Sequence, residues 1–541
     1  METVIDRRWV LGLGAAAVPV LAYFAFIAAV THNIPRGDDF FSILGFLSDW
    51  RESSDWSERL ALINAQYFSH RLALTRLVAL LQVSVAGECH FVALQIFGWI
   101  GWIVIAMSLA FSVATTRRRP WLTLPVFLLL MQPYGSSNLL SAMQAVQNIG
   151  VIGFALLAMK LGAGASSTRA ALALATAALA TFTSANGLLV APVLVAMWTA
   201  QGRWRIAVAG AIATTLIALV YFSGYVQESA TFRATDFLAN AAVMSGGFAG
   251  IARIPLLLVG IAGALLLAGG AVVLLRRPLW HSHPTHLGFI LFLCLSILMA
   301  AWGRMGWGAD YMMQDRYRPY GLLLLSTVYV LALGQLSAAR MARIGILATT
   351  CAAVFSLLAY ATTVAPLVSY ARWAEATAIN HSIGGHFLLT SGPTWSSEMR
   401  SLDRAAKLGI YQIPSSLDAE SVARLRALPS APSLPSPFKI SPNSGTLGYM
   451  LEPVSDAAVS PAEYVLAVHN GHRVVLPLDV RRAPLPRALS QLTFFGTVFG
   501  YPWPSERYVP GEYTLYGLNR LPDHADFVIA WQHSVLCPTF E

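Results

Sequence analysis

WVLGLGAAAVPVLAYFAFIAAVTH, residues 9–32, is followed after Asn33-Ile-Pro-Arg36 by Gly37-Asp38-Asp39-Phe40. A helix needs about 17–25 apolar residues to cross a bilayer, and the run has that length. It is too long for the apolar core of a secretory leader, contains Pro19 and Tyr23, and has no small-x-small cleavage site before Asn33. The run therefore reads as a first membrane span. Two adjacent carboxylates directly after it are costly so near hydrocarbon, and intramembrane or membrane-edge acids are functional hypotheses by default.

Working outward, the same apolar length recurs along the chain. Runs at 91–115, 120–133, 138–160, 168–184, 187–200, 205–225, 254–275, 286–303, 317–337 and 343–367 bring the expected count to about eleven spans. Those at 120–133 and 187–200 are short, and would tilt, re-enter or pair as a hairpin. Backbone polar groups must be satisfied within lipid, so the spans are expected to be helices. The composition agrees: the chain is 56% hydrophobic and 12% charged, against roughly 25% charged in soluble proteins. Its mean hydropathy is +0.59.

Charge sets the orientation. With the N-terminus inside, the predicted cytoplasmic segments carry Arg7, Arg8, Arg117 to Arg119, Lys160, Arg169, Arg203, Arg205, Arg276, Arg277, Arg340 and Arg343, and no acid beyond Glu2 and Asp6. The predicted outer loops carry the other acids of this region, from Asp38 to Asp315. That is the positive-inside pattern. The net charge of +9 is thus a topological signal, and nucleic acid is not an expected partner. An odd number of spans puts the C-terminus outside. Of four cysteines, Cys294 and Cys351 fall in spans, while Cys89 and Cys537 fall on the outer side, where an oxidising compartment would permit a bridge.

The organisation is therefore mainly α: a polytopic membrane helix bundle over 1–367, then extracytoplasmic segments. Residues 33–90 form a first outer loop with an amphipathic stretch, Trp56 to Val85. Its apolar positions Leu60, Ile63, Tyr67, Leu74, Leu77 and Leu81 recur at helical spacing. It is expected to lie on the membrane surface, starting near Ser57. Residues 372–425 read as mixed helix and strand, with Asp403 to Leu408 helical before Gly409. The connecting segment 368–437 ends in a Pro/Ser-rich linker, Leu428 to Pro437. The pattern of 438–541 is that of a β-rich domain. Tyr464–His469, Asn470-Gly471 and His472–Leu478 make a hairpin signal, because Asn-Gly supplies the positive φ of a type I′ turn. Pro510-Gly511 marks a second turn before a strand.

Several constellations could carry chemistry. Asp38 and Asp39 either cap a new helix at Phe40 or face the outer compartment as a general base or metal ligand. His70-Arg71, with Arg76 nearby, is either a solvated face with arginines reaching headgroups or a cation pair for phosphate or pyrophosphate. Arg304, Arg316 and Arg318 crowd the outer ends of two spans against the positive-inside trend. The Arg fork suits phosphate oxygens, headgroup anchoring accounts for one such Arg more easily than for three, and Asp310 and Asp315 would orient them. Ser184-Ala185-Asn186-Gly187 reads as the tight turn of a helix hairpin. Gln144, Gln147 and Asn148 read as interhelical amides. His281, His283 and His286 read as a polar cytoplasmic loop with spacing weak for a metal. No P-loop, GxGxxG, HExxH or Gly-x-Ser-x-Gly motif is present.

The acidic pair after the first span, in a loop with a surface helix, resembles the C-type membrane glycosyltransferases (GT-C fold). Gly37-Asp38-Asp39, His70-Arg71, Ser184-Ala-Asn186-Gly187, Gly303-Arg304 and Arg316-Tyr317 together resemble a group of bacterial multi-pass proteins described as glycosyltransferase-like. The likeness covers 1–367 and extends to Leu402-Asp403-Arg404-Ala405 and Gly409-Ile410-Tyr411. It implies a bacterial cytoplasmic (inner) membrane protein that transfers sugar from a polyprenyl-phosphate donor to an acceptor hydroxyl of a glycan on the outer face. The reaction would invert the anomeric centre. Asp38 or Asp39 would be the base, and Arg304, Arg316 and Arg71 would hold the lipid phosphate. Some relatives use a divalent metal (Mg or Mn) and others do not. The tail is where the chain departs from the pattern.

Other classes remain open at this point. A transporter or flippase of lipid-linked glycans would line a path with mid-span charges, whereas here charges gather at the outer rim. A polysaccharide polymerase or ligase would not especially need the early acids. A non-enzymatic assembly subunit would account for the β-rich tail.

Overall fold

The computed structural model describes residues 7–112, 116, 118–226, 233–384, 395–415, 417–430, 438–442, 448–453, 462–477, 480–482, 495–497, 501–504, 511–520 and 527–537. The chain forms two compact units, one of residues 1–29 and 41–360, the other of 30–40 and 361–541. The chain is mainly helical, with a small β part.

The first unit begins with α1 (Arg7–Val30), α2 (Phe46–Glu52) and α3 (Trp56–Asn64). A two-residue ladder follows, β1 (Gln66–Tyr67) against β2 (His70–Arg71), and then α4 (Ala73–Ala86). The bundle continues through α5 (Phe91–Ala110), α6 (Leu124–Leu130), α7 (Ala142–Gly162), α8 (Ser167–Thr181), α9 (Val190–Ala200) and α10 (Trp204–Phe222). It ends with α11 (Ala234–Gly246), α12 (Leu256–Leu274), α13 (Pro284–Gly303), α14 (Arg318–Leu333) and α15 (Ala338–Ser382). Among the described residues six of these, α5, α7, α10, α12, α13 and α15, are long and apolar enough to cross a membrane. These are the helices of a membrane-embedded protein.

Several local expectations change. The stretch from Trp56 to Val85 is not one helix. It starts at Trp56 because Asp55 caps it, accepting the Ser57 and Glu58 N–H groups, and it breaks at Ala65 into the β1–β2 ladder. The surface character persists: Leu77, Leu81 and Val85, four apart on α4, are exposed. The segment Ala234–Gly246, between the apolar runs 205–225 and 254–275, is a helix packed on α12 at glycine distance. A Cβ on Gly246 would lie 2.0 Å from the Val259 carbonyl oxygen, and one on Gly263 would lie 1.9 Å from that of Ala242; small residues allow such approaches in bilayers. Gly187 serves close approach as well, since its Cβ would meet the Ala180 carbonyl oxygen at 1.9 Å. Its backbone is not in the left-handed region that a type I′ turn would need. His286 belongs to α13 rather than a polar loop, and is buried with Nε2 2.7 Å from the Ser112 hydroxyl.

The boundary expected at 367 is not a break in the chain. α15 runs unbroken to Ser382, and the division between units falls inside it, after Tyr360. In the second unit, α16 (Trp395–Lys407) and α17 (Ala419–Ala427) follow, and no strand occurs among the described residues of 372–425. The linker positions 431–437 lie outside the described residues, as do the turn before Gly511 and the side chain of Cys537, and with it the Cys89 bridge. The strands are β3 (Phe438–Pro442), β4 (Gly448–Pro453), β5 (Tyr464–His469), β6 (His472–Pro477), β7 (Val480–Arg482), β8 (Phe495–Thr497), β9 (Tyr501–Pro504), β10 (Gly511–Arg520) and β11 (Phe527–Cys537). They pair as β11-β10-β5-β6, β3-β4-β9 and β7-β8. The β5–β6 hairpin is the expected one, with Asn470 at φ 44° and Gly471 at φ 84°, the two positive angles of a type I′ turn.

An edge strand exposes backbone groups that recruit other strands, and β6 is such an edge. Here Asn380 of α15 occupies it: its Nδ2 donates to the Val475 carbonyl at 2.9 Å, and its Oδ1 accepts the Val475 N–H at 2.7 Å. Ala376, Ile379 and Ile383 pack on the same core as Val465, Leu466 and Leu515. Helix and sheet are thus joined by burial and by a two-point amide pair. Asn380→Ala leaves both Val475 groups buried without partners and is expected to destabilise this unit by about 1–3 kcal/mol. Chemical denaturation read by proteolysis of the tail checks this; an unchanged midpoint contradicts it.

Candidate functional site

The sites proposed from sequence separate by unit. The second unit holds Arg36, Gly37, Asp38 and Asp39. Gly37 takes φ 53°, a conformation open to glycine, and the turn closes through Asp39 N–H to the Arg36 carbonyl at 3.1 Å. The Asp39 carboxylate is fully buried and accepts the Arg36 N–H at 3.1 Å. The Arg36 guanidinium lies over the Tyr370 ring, 4.3 Å from its centroid, while its Nη1 is buried without a partner among the described residues. Asp38 is only half-buried. Arg36 adjoins the acidic pair in sequence, yet it was not singled out. Its role rests on Tyr370, which no local motif announces.

The remaining candidates belong to the first unit. Arg71 is buried, and its guanidinium donates to carbonyls throughout: Nε to Tyr221 at 2.6 Å, Nη1 to Asn64 and Nη2 to Ser223. Arg76 gives Nη1 to the carbonyls of Leu62, Ile63 and Ala65. The last carbonyls of a helix have no partner within it and carry its negative pole, so these arginines close the ends of α3 and α10. Arg71 is therefore a clamp, not a phosphate ligand.

His70, beside Arg71 on β2, is not a cation either. Its Nδ1 accepts the Ala185 N–H at 3.2 Å, with the Ser184 hydroxyl at 3.5 Å. Burial holds its pKa down to about 4, and the positive charges of Arg304 and Arg316 add to the effect. Both arginines thus bear electrostatically on the His70 ring.

Each arginine is set by an amide from another helix. Arg304 ends α13, and its carbonyl accepts Asn240 Nδ2 of α11 at 3.0 Å. Arg316 sits on the short turn Asp315–Tyr317. Its carbonyl accepts Asn138 Nδ2 at 3.1 Å, and Asn138 Oδ1 accepts Asn148 Nδ2 at 2.8 Å. Asn148 and Gln147 lie on a π-helical turn within α7, Ala145–Ile149, a widening common at functional sites. Aromatic rings bracket the guanidinium groups: Arg304 over Trp307 at 5.4 Å, and Arg316 between Tyr311 and Tyr317 at 5.4 and 5.1 Å. Arg316 also donates to the Tyr311 hydroxyl. In both arginines Nε is buried without a partner among the described residues.

Arg318 stands apart from this pair. It is ion-paired with Asp315, donates to the Met313 carbonyl at 3.2 Å and stacks on Tyr134 at 3.7 Å. Asp315 thus orients Arg318, as expected, whereas Asp310 is exposed. Asn186 is structural: its Nδ2 donates to Tyr320 at 2.9 Å and Ser296 at 3.3 Å, joining α13 and α14. Sequence reading missed Tyr311, whose spacing from Arg316 fits only an irregular turn, and the Ala185 amide, which no side-chain pattern can reveal.

Among the described residues no three of His, Cys, Asp and Glu gather, and Asp39 already accepts a backbone N–H. Comparison with family models, curated proteins and solved structures gives no match.

The depressed His70 pKa has a sign that can be tested. A group neutral in the fold and titrating at 6.5 when unfolded adds stability that is complete above 6.5. That stability is lost as pH falls through 4. Wild type should therefore lose more thermal stability than His70→Gln between pH 6.5 and 4; parallel curves would contradict the assignment.

Proposed function

We propose that the protein is a polytopic membrane glycosyltransferase of GT-C type that uses a polyprenyl-phosphate sugar donor at the outer face of a bacterial cytoplasmic membrane. One observation carries this reading. Arg304 and Arg316, at the ends of apolar helices, each keep a buried donor without a partner among the described residues, and both bear on a histidine held neutral. Buried unpaired N–H groups cost about 1–3 kcal/mol each, and paired cationic forks match phosphate oxygens. An anionic phosphate at a membrane edge satisfies both demands.

In this reading the bundle comprises about eleven spans of the length a bilayer requires. The N-terminus is cytoplasmic and the β-rich unit extracytoplasmic. The acceptor hydroxyl attacks the anomeric carbon as the carbon–oxygen bond to phosphate breaks, so the centre inverts. Asp38 or Asp39 takes the hydroxyl proton. The electron pair of the broken bond stays on the phosphate oxygen, where the guanidinium groups stabilise it. The rim location of the charges also sets this reading above a transporter's, which would need charged groups along a path.

The two halves of the proposal belong to different units and are tested separately. Arg304→Ala and Arg316→Ala should each weaken binding of a short prenyl phosphate about 10-fold or more, the worth of a hydrogen bond to a charged group. Calorimetry in detergent reads this, and unchanged affinity in both sinks the phosphate role. Asp38→Asn or Asp39→Asn should abolish sugar transfer while leaving membrane insertion intact. Full activity in both variants removes the proposed base.

A further inference from the structure

We propose that His70 is a fixed-tautomer hydrogen-bond donor to the phosphate held by Arg304 and Arg316, its proton kept on Nε2 by the donors that occupy Nδ1. This rests on the phosphate reading above and adds the role of a third side chain.

Ala185 N–H points at Nδ1 from 3.2 Å. Gln147 Nε2 donates to the Ser184 hydroxyl at 3.3 Å, which turns the hydroxyl's own hydrogen towards Nδ1 at 3.5 Å. A ring nitrogen that accepts carries no hydrogen, so a neutral imidazole here bears it on Nε2. Protonating Nδ1 would set its N–H against the Ala185 N–H. The charged groups bearing on the ring, Arg304 and Arg316, oppose an imidazolium as well. Arg71, next on β2, has its guanidinium spent on carbonyls, and Asp315 is paired with Arg318.

The site then owes its charge to two guanidinium groups, while His70 contributes direction. Its binding of a phosphate ester does not require proton uptake by the histidine. The ligand class is a lipid phosphate, monoester or diester, contacted at a non-bridging oxygen.

The test uses the full-length protein in detergent and dodecyl methyl phosphate, a diester with one charge throughout pH 5.5–8. Wild-type affinity should stay flat over that range. His70→Phe should bind about 10-fold more weakly, as expected for losing one hydrogen bond to a charged group. His70→Gln, which restores an N–H near Nε2, should stay within a few-fold of wild type. Ala185→Pro deletes the amide hydrogen, and Ser184 before it is already extended (φ −158°, ψ 152°), as a residue before proline must be. That variant should bind more tightly at low pH. Should it fail to fold, the Phe and Gln variants still decide. Wild-type binding that tightens at low pH and flattens in His70→Gln overturns the proposal, as does His70→Phe binding as well as wild type. Unchanged binding in Arg304→Ala and Arg316→Ala would instead overturn the phosphate reading itself.

Discussion

The Arg71 clamp is the interaction on which the first unit's site depends. Helices α3 and α10 end where their last carbonyls need donors, and Arg71 reaches both ends at once. Burying a guanidinium is costly unless it is hydrogen-bonded, and here each of its three nitrogens donates to a carbonyl. The clamp fixes the two-residue strand that carries His70. His70 in turn meets the Ala185 amide within the α8–α9 connection. A residue expected to touch substrate thus acts as the brace that aims its neighbour.

The arginines that remain for an anion are distinguished by what they lack. Arg318 has a carboxylate, a carbonyl and an aromatic face, and Arg71 has its carbonyls. Arg304 and Arg316 have aromatic faces, the side-chain amides of Asn240 and Asn138 holding their carbonyls, and a buried Nε each without a partner among the described residues. Stacking a guanidinium on a ring leaves its edge for hydrogen bonding. Around them, amides from α7, α11 and the Asn138 turn do the positioning, as expected where a polar side chain in an apolar bundle gains most by bonding another helix.

Much of the architecture was legible because it follows from periodicity and turn chemistry. Apolar length found the long helices, and Asn470-Gly471 found the β5–β6 hairpin. What was not legible depended on contacts between distant residues. α11 falls outside the apolar runs because Asp236 and Asn240 interrupt its apolar pattern, yet Gly246 and Gly263 let it pack on α12. The end of the bundle seemed to lie at 367 because hydropathy falls there, but α15 continues, since Ala376, Ile379 and Ile383 bury against a sheet made by residues far along the chain. At the site, sequence could locate Arg71, Arg304, Arg316 and Arg318 as a class. It could not tell a clamp or an ion pair from a partnerless donor, because that distinction is made by carbonyls and by Asp315.

The central claim is that Arg304 and Arg316 form a phosphate site. A cryo-EM map of the protein saturated with a short prenyl phosphate tests it most directly. The expected result is headgroup density bridging the two guanidinium groups, with the His70 ring edge turned to it. Headgroup density elsewhere, with both arginines left unengaged, would contradict it.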